Sequence, residues 1–470
     1  MDIFKKFRKS VSQNPWGIII LILAYLIPTL CFFYEDAHSI IRQGINVWYA
    51  LFQGRFLEYY SFNLESMQMG EMQDPANYEM LLNILNGIWQ LPLYIVEQIT
   101  GKDILDNIGA RIWGSLLAVV FSFLSGWQLR KLGRKAGLQG LRLEWLYFAY
   151  MTGAILLDSA CMVGQMDVIG TFFLLLAVRC LIDKEDIRFL IYASIAVQCK
   201  SFAVFVILPL VLLTQKKVIK AIIYAVIPVA VTWLIGLPFS IADPAGVMSK
   251  RPRLWFLADT MTRTRIELMG LEVPVLFIAL GIVVMTSYYV RAEEQRMEWI
   301  LYYAFAGMLP ILLFMRSYPQ WMLYMYPFAL LMIFRKEYDL GKRIFYETAG
   351  TLSLITGFLV SYSFVYNENN MRGMLADILA PGLLGTDVLE GISKHLLQEK
   401  YFQFWTLSYA AFFIWIIGIL ICYCPPVLRL MESKKRNTND WSDKQISLWL
   451  YFRAIAGIVI CNAALFLLII

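Results

Sequence analysis

The run Trp16–Phe33, WGIIILILAYLIPTLCFF, contains no charged side chain. A bilayer core takes about 20 consecutive apolar residues per helix, so this stretch reads as a membrane span. It is not a removable leader, because its apolar part is too long and no small-residue cleavage site follows it. Further apolar blocks lie near 111–129, 143–157, 167–182, 188–198, 201–213, 218–236, 274–290, 299–315, 321–334, 344–365, 402–424 and 448–470. Together they predict an all-α, polytopic integral membrane protein of about 13 spans. The two runs on either side of Lys200 are too short for ideal spans and predict tilted helices or half-helices buried in protein.

Composition supports this reading. The 470 residues are 59% hydrophobic and 16% charged, with a mean hydropathy of +0.60. Soluble domains carry about 25% charged residues, so much of this surface must face something other than water. Seven cysteines show no metal-ligand spacing and two histidines lie far apart, which argues against a structural zinc site. There is no Gly/Ser linker, and residues 1–470 read as one domain. P-loop and Rossmann glycine patterns are missing, so no nucleotide site is expected. No cofactor and no nucleic-acid partner are expected, and a metal ion is left open.

Basic residues are retained on the cytoplasmic side. Lys5, Lys6, Arg8 and Lys9 place the N-terminus inside. Arg130, Lys131, Arg134 and Lys135, then Lys216, Lys217 and Lys220, then Arg335, Lys336, Lys342 and Arg343, then Lys434, Lys435 and Arg436 fall in alternate loops on that side. Three long segments would then lie outside, at 34–110, 237–273 and 366–401. The first holds two amphipathic stretches, around Ile40–Phe52 and Leu81–Val96, which predict an extracytoplasmic layer of helices on the membrane plane. The second is basic, with Lys250, Arg251, Arg253, Arg263 and Arg265. Such a cluster outside runs against the topogenic rule. A phosphate ligand would explain it, since guanidinium forks match phosphate oxygens; anionic headgroups or simple solvation would also do so.

Polar residues among the apolar blocks mark candidate chemistry. Asp36 follows the first span in Tyr34-Glu35-Asp36-Ala37-His38 and is placed to act as a general base, with Glu35 and His38 as candidate substrate contacts. A helix cap is the competing reading of Asp36. Gly164-Gln165-Met166-Asp167 begins the fourth apolar block, where Gln165 and Asp167 can bind hydroxyl or phosphate oxygens, or Asp167 can cap its helix. Lys200 sits between two apolar runs and needs an anionic partner: Asp167 or a ligand phosphate. Arg316-Ser317-Tyr318-Pro319-Gln320-Trp321 joins two spans and offers Arg316, Tyr318 and Gln320, although its aromatics also suit interfacial anchoring.

The run Leu157–Ile169 with its Gly164-Gln165-x-Asp167 turn, the later Cys199-Lys200-Ser201-Phe202-Ala203 and the Leu208-Pro209-Leu210 that follows resemble the middle of bacterial GT-C glycosyltransferases, particularly mannosyltransferases. Asp36 just after the first span, and Ser317–Trp321 through Tyr326-Pro327-Phe328, are similar to flanking elements of that family, in the same order. The resemblance covers about residues 16–335. It implies an inverting hexosyltransferase drawing on a polyprenyl-phosphate sugar at the extracytoplasmic face, with a glycan, glycolipid or protein acceptor. Asp36 would be the base. Gln165 and Asp167 would orient hydroxyls. Lys200, Arg251, Arg253, Arg263, Arg265 and Arg316 would hold the donor phosphate. The chain departs from the family in having Glu35-Asp36 where many relatives carry Asp-x-Asp, which weakens the case for a metal. It also has Arg263–Leu268 where an Asn-Ala-x-Asn-x-Trp type segment is common. A transporter or flippase of lipid-linked saccharides, or a non-catalytic envelope subunit, are the competing functions. A transporter would place its polar groups at mid-bilayer within inverted repeats, and neither pattern is visible here.

Overall fold

The computed structural model describes residues 15–248, 258–292, 295–315, 318–336, 339–361, 399–433 and 441–462. The order is α1 (Pro15–Cys31), α2 (Glu35–Phe52), α3 (Tyr59–Gln68), α4 (Met80–Thr100), α5 (Ile108–Lys135), α6 (Gly140–Met151), α7 (Ala154–Leu157), a π-helical turn (Asp158–Met162), α8 (Asp167–Ile182), α9 (Asp186–Cys199), α10 (Ala203–Thr214), α11 (Val218–Ala242) and α12 (Pro244–Met248). A hairpin of β1 (Arg265–Leu268) and β2 (Leu271–Pro274) follows. Then come α13 (Val275–Tyr289), α14 (Arg296–Ala306), α15 (Leu309–Phe314), a 3-10 segment (Pro319–Tyr324), α16 (Tyr326–Arg335), α17 (Leu340–Ser361), α18 (Glu399–Cys422), α19 (Pro425–Ser433) and α20 (Asp443–Cys461). The fold is all-α in character, with one antiparallel hairpin pairing Arg265 with Pro274 and Leu268 with Leu271.

Four helices among the described residues are long and apolar enough to cross a bilayer: α5, α11, the near-continuous Arg296–Phe314 and α20. Two sharply bent pairs, α1 with α2 and α18 with α19, raise the number to at most six. This is consistent with a membrane protein but does not support the expected count of about 13. The physical reason is length. Several apolar blocks fold as short helices, including α10, α13 and α16, below the roughly 20 residues a span needs. Those around Lys200 are α9 and α10, separated by an extended Lys200. Almost all of α16 is buried in protein.

The centre of the molecule is the antiparallel hairpin of α8 and α9, flanked by α5 on one side and by the 3-10 segment on another. Tyr150, Tyr324, Tyr326, Phe328 and Phe334 are fully buried around it. Helices α17, α18 and α20 pack as a second group, tied to the centre through α7 and α16. There Arg453 of α20 makes a two-pronged pair with Glu347 of α17, at 2.6 Å to each oxygen, and Tyr326 of α16 completes the triad.

The two ends differ. At one end the loops carry basic residues paired locally: Lys135 with Asp183, Lys220 with Asp186 at 3.0 Å, and Arg335 with Glu298 at 2.9 Å and the Ala136 carbonyl at 3.1 Å. These pairs bring the described basic stretches at 135, 220 and 335 against neighbouring loops. Lys5–Lys9 and Lys434–Arg436 lie outside the described residues, as does 366–398 of the third long segment. At the other end α2, α3 and α4 form a layer. Ile40, Ile41, Ile45 and Val47 of α2 are buried, while Leu51 and Phe52 remain exposed. The layer is fixed by Arg42, whose guanidinium reaches both Glu97 oxygens at 2.9 and 3.1 Å and Asp103 at 2.5 Å. Trp89 and Trp113 stack at 4.8 Å and exchange indole N–H bonds with each other's carbonyls, joining α4 to α5.

Candidate functional site

Asp36 stands in the first turn of α2. The residue before the helix is Tyr34, in an extended conformation and without a side-chain cap. Asp36 is therefore not an N-cap, although its charge suits the positive end of the helix. Its Oδ2 accepts a hydrogen bond from Nε2 of Gln165 at 2.6 Å. Oε1 of Gln165 accepts in turn from the Tyr78 hydroxyl at 2.6 Å. The amide is buried, so both ends of its dipole are fixed and its orientation toward Asp36 is set by Tyr78.

The local chain explains why Gln165 reaches α2. The π-helical turn Asp158–Met162 is followed by Gly164 at φ +65°, a left-handed conformation that costs glycine little. A Cβ at Gly164 would also lie only 3.0 Å from that of Ala37. The tight turn thus brings Gln165 under the first turn of α2 and starts α8 two residues later.

Asp167 opens α8 without capping it. Lys200, at the end of α9, places its ammonium 3.0 Å from Oδ1 of Asp167. The Asp167 side chain is fully buried and that of Lys200 is one-fifth exposed. The ammonium also lies 5.3 Å from the Tyr78 ring centroid and 5.9 Å from that of Phe202. Neither Asp167 oxygen has an aligned hydrogen bond, and the Tyr324 hydroxyl nearby is also buried without one. Tyr324 fits only because residue 170 is glycine: a methyl there would sit 2.0 Å from the hydroxyl oxygen. Of the two partners read for Lys200, the protein carboxylate is present, and the lysine charge is largely balanced by Asp167.

Asp36, Ser39, Gln43, Asp74, Tyr78 and Gln165 line a narrow cleft whose free volume is about 10 Å³, room for one water. The segment 69–79 covers it. Ser39 Oγ accepts from the backbone N–H groups of Gln73 and Asp74 at 3.2 and 3.3 Å, Gln43 donates to the Asp74 carbonyl at 3.1 Å, and the Tyr60 hydroxyl donates to the Tyr78 carbonyl at 3.1 Å.

The structure thus gathers Asp36, Gln165, Asp167 and Lys200. Glu35 begins α2, but its side chain lies outside the described residues. His38 packs edge-on to Phe33 at 6.2 Å. Tyr318 packs against Trp321 at 5.3 Å and Phe358 at 6.4 Å, as an aromatic anchor would. Gln320 is buried with an unpaired Oε1. Arg263 is exposed, and Arg265 turns to Glu272 at 2.8 Å across the hairpin. Lys250, Arg251, Arg253 and Arg316 lie outside the described residues. Among the described residues no three His, Cys, Asp or Glu side chains converge as metal ligands.

Sequence reasoning missed Tyr78, Ser39 and Asp74, which come from or contact an aperiodic polar stretch with no signal of its own. It also passed over Gln198, an amide inside the apolar block 188–198 whose chemistry was a usable signal. No protein-family profile matches the chain, and no curated protein matches it.

Proposed function

We propose that the chain is an inverting glycosyltransferase that moves a hexose such as mannose from a polyprenyl-phosphate donor to an acceptor hydroxyl at the extracytoplasmic face. The observation that carries this reading is the Asp36 carboxylate held by Gln165 at 2.6 Å on the wall of the cleft. A carboxylate offers about four lone-pair sites, and the amide occupies one. Another can take the acceptor proton. The acceptor oxygen then forms its bond to the anomeric carbon as the bond from that carbon to the carrier phosphate breaks, and the phosphate leaves with the electron pair. Single displacement inverts the anomeric centre. The departing phosphate needs positive charge. Lys200 supplies part of it by loosening from Asp167, and Arg251, Arg253, Arg263, Arg265 and Arg316 are the further candidates.

A cleft with space for one water cannot take a sugar in this state. The proposal therefore requires segment 69–79 to swing aside, breaking the Tyr78 bond to Gln165. That couples admission of substrate to the residue that orients the base. The polar groups cluster at one end of the bundle, which favours an enzyme over a transporter with a mid-membrane site.

The test is to incubate purified protein with a panel of polyprenyl-phosphate sugars and acceptor lipids or glycans and to follow donor consumption. General-base loss is worth about 10²–10⁴-fold in rate, so Asp36→Asn should abolish turnover to that extent while donor binding persists. Full activity in Asp36→Asn, or no consumption of any donor, would refute the reading.

A further inference from the structure

A second cavity of about 290 Å³ runs between α9 and α11 and ends at Leu81, the second residue of α4. Its floor is one face of α9: Ile187, Ile191, Ser194 and Gln198 recur at helical spacing, opposed by Val231 of α11. Ile187 and Ile191 are more than half exposed at its mouth. From Ile187 to Gln198 the groove extends on the order of 16 Å at 1.5 Å per residue. That suits one hydrocarbon chain lying along the helix.

The end at Gln198 and Leu81 is the informative part. Gln198 is 1% exposed, and neither its Oε1 nor its Nε2 has a hydrogen-bond partner. Leaving a buried amide unpaired is costly, and native proteins rarely tolerate it without a ligand or water. Ser194, the other polar residue of the floor, is satisfied by the Leu190 carbonyl at 2.7 Å. No cation lines the groove. The occupant is therefore neutral, sits on a chain that is otherwise hydrocarbon, and carries at least an acceptor for the Nε2 N–H of Gln198; a water beside it would donate to Oε1. An isoprenoid has no polar atom between its terminal phosphate and its tail, and would leave Gln198 unpaired. An acyl ester carbonyl accepts from Nε2, which a bare hydrocarbon chain cannot do. Gln198 lies one residue from the end of α9 that carries Lys200.

We infer that the α9–α11 groove binds an acyl chain of an ester-linked glycerolipid, with the ester carbonyl on Gln198, and that the acceptor of the proposed transfer is such a lipid. The headgroup would emerge beside Leu81, three residues from Tyr78, whose hydroxyl donates to Gln165. The acceptor assignment rests on the transfer reading. The binding site does not.

The test uses the full chain in detergent with three photoreactive probes carrying a mid-chain diazirine: a diacyl glycerolipid, its ether-linked analogue and a polyprenyl phosphate. Labelled peptides are mapped by mass spectrometry. The ester probe should label α9 and α11 and exceed the ether probe. Ser194→Trp, which fills the groove, should reduce labelling about tenfold, equivalent to 1.4 kcal/mol; Ile187→Trp at the exposed mouth serves if that variant does not fold. Gln198→Leu should erase the preference for ester over ether. Preferential labelling by the polyprenyl probe, equal ester and ether labelling in the native protein, or labelling untouched by the groove-filling variant would each overturn the assignment. Asp36→Asn should leave labelling intact, so failure of transfer and failure of binding are read separately.

Discussion

Gln165 donates an amide hydrogen bond to Asp36 across 2.6 Å, joining residues 129 positions apart in the chain. The contact ties the turn that starts α8 to the turn that starts α2. The same amide accepts from Tyr78, so one side chain connects the candidate base, the central hairpin and the segment covering the cleft.

Gln165→Leu removes both bonds at nearly constant volume. The loss of a buried hydrogen-bond partner costs about 1–3 kcal/mol, and the melting temperature in detergent should fall accordingly. Tyr78→Phe removes only the bond to segment 69–79 and should cost less. If transfer requires that segment to move, Tyr78→Phe should also lower the KM for the acceptor while Gln165→Leu lowers kcat. Identical effects of the two variants on both constants would separate neither role and would count against the coupling.

Lys200→Ala leaves the fully buried Asp167 carboxylate without its cation. Breaking a buried pair from one side costs about 3–5 kcal/mol; the partial exposure of Lys200 puts this case at the lower end. Asp167→Asn with Lys200→Met removes both charges and should be less destabilising than Lys200→Ala alone. Thermal melts of the singles and the double form the cycle. A double variant as unstable as the sum of the singles would show that the two residues act independently.

Gly170→Ala drives a methyl into the Tyr324 hydroxyl, whose oxygen would be 2.0 Å away. Overpacking of this kind costs about 1–3 kcal/mol. Tyr324→Phe removes the clashing oxygen and leaves the ring carbon at 3.0 Å, so it should restore most of the stability in the double variant. No rescue would mean that the strain lies elsewhere in the α8 packing.

Arg453 is buried in the α16–α17–α20 group and held by Glu347 and Tyr326. Arg453→Met strands the buried Glu347 carboxylate and should destabilise by about 3–5 kcal/mol, whereas Arg453→Met with Glu347→Met should recover much of it. Retained transfer by the double variant, measured on the folded fraction, is the expected result if the triad only joins helices. Loss of transfer in a well-folded double variant would instead implicate the triad in function.

Asp36, Gln165, Asp167 and Lys200 could all be picked out from the sequence, because each is a polar residue beside an apolar run, and such residues are costly unless they have a partner. Their pairing could not. On spacing alone Asp36 reads sooner as a helix cap than as a base and Asp167 as readily one as the other, and only the positions of Tyr34 and Met166 at the two helix starts show that neither is a cap. Arg265 reads from the sequence as a phosphate ligand, and only the hairpin shows that it also meets Glu272, diagonally across from it, while its register partner is Pro274. Tyr78 carried no signal, since its partner lies 87 residues away and its own neighbourhood has no period.

The helical class is already fixed by the linear order of residues, because apolar runs act locally, residue by residue, on the cost of leaving water. The number of crossing helices, the narrowness of the cleft and the groove ending at Gln198 were decided by tertiary structure. Those depend on where short apolar helices break, bend and bury against one another, and a linear pattern of hydropathy assigns the same value to a helix facing lipid and one enclosed by protein.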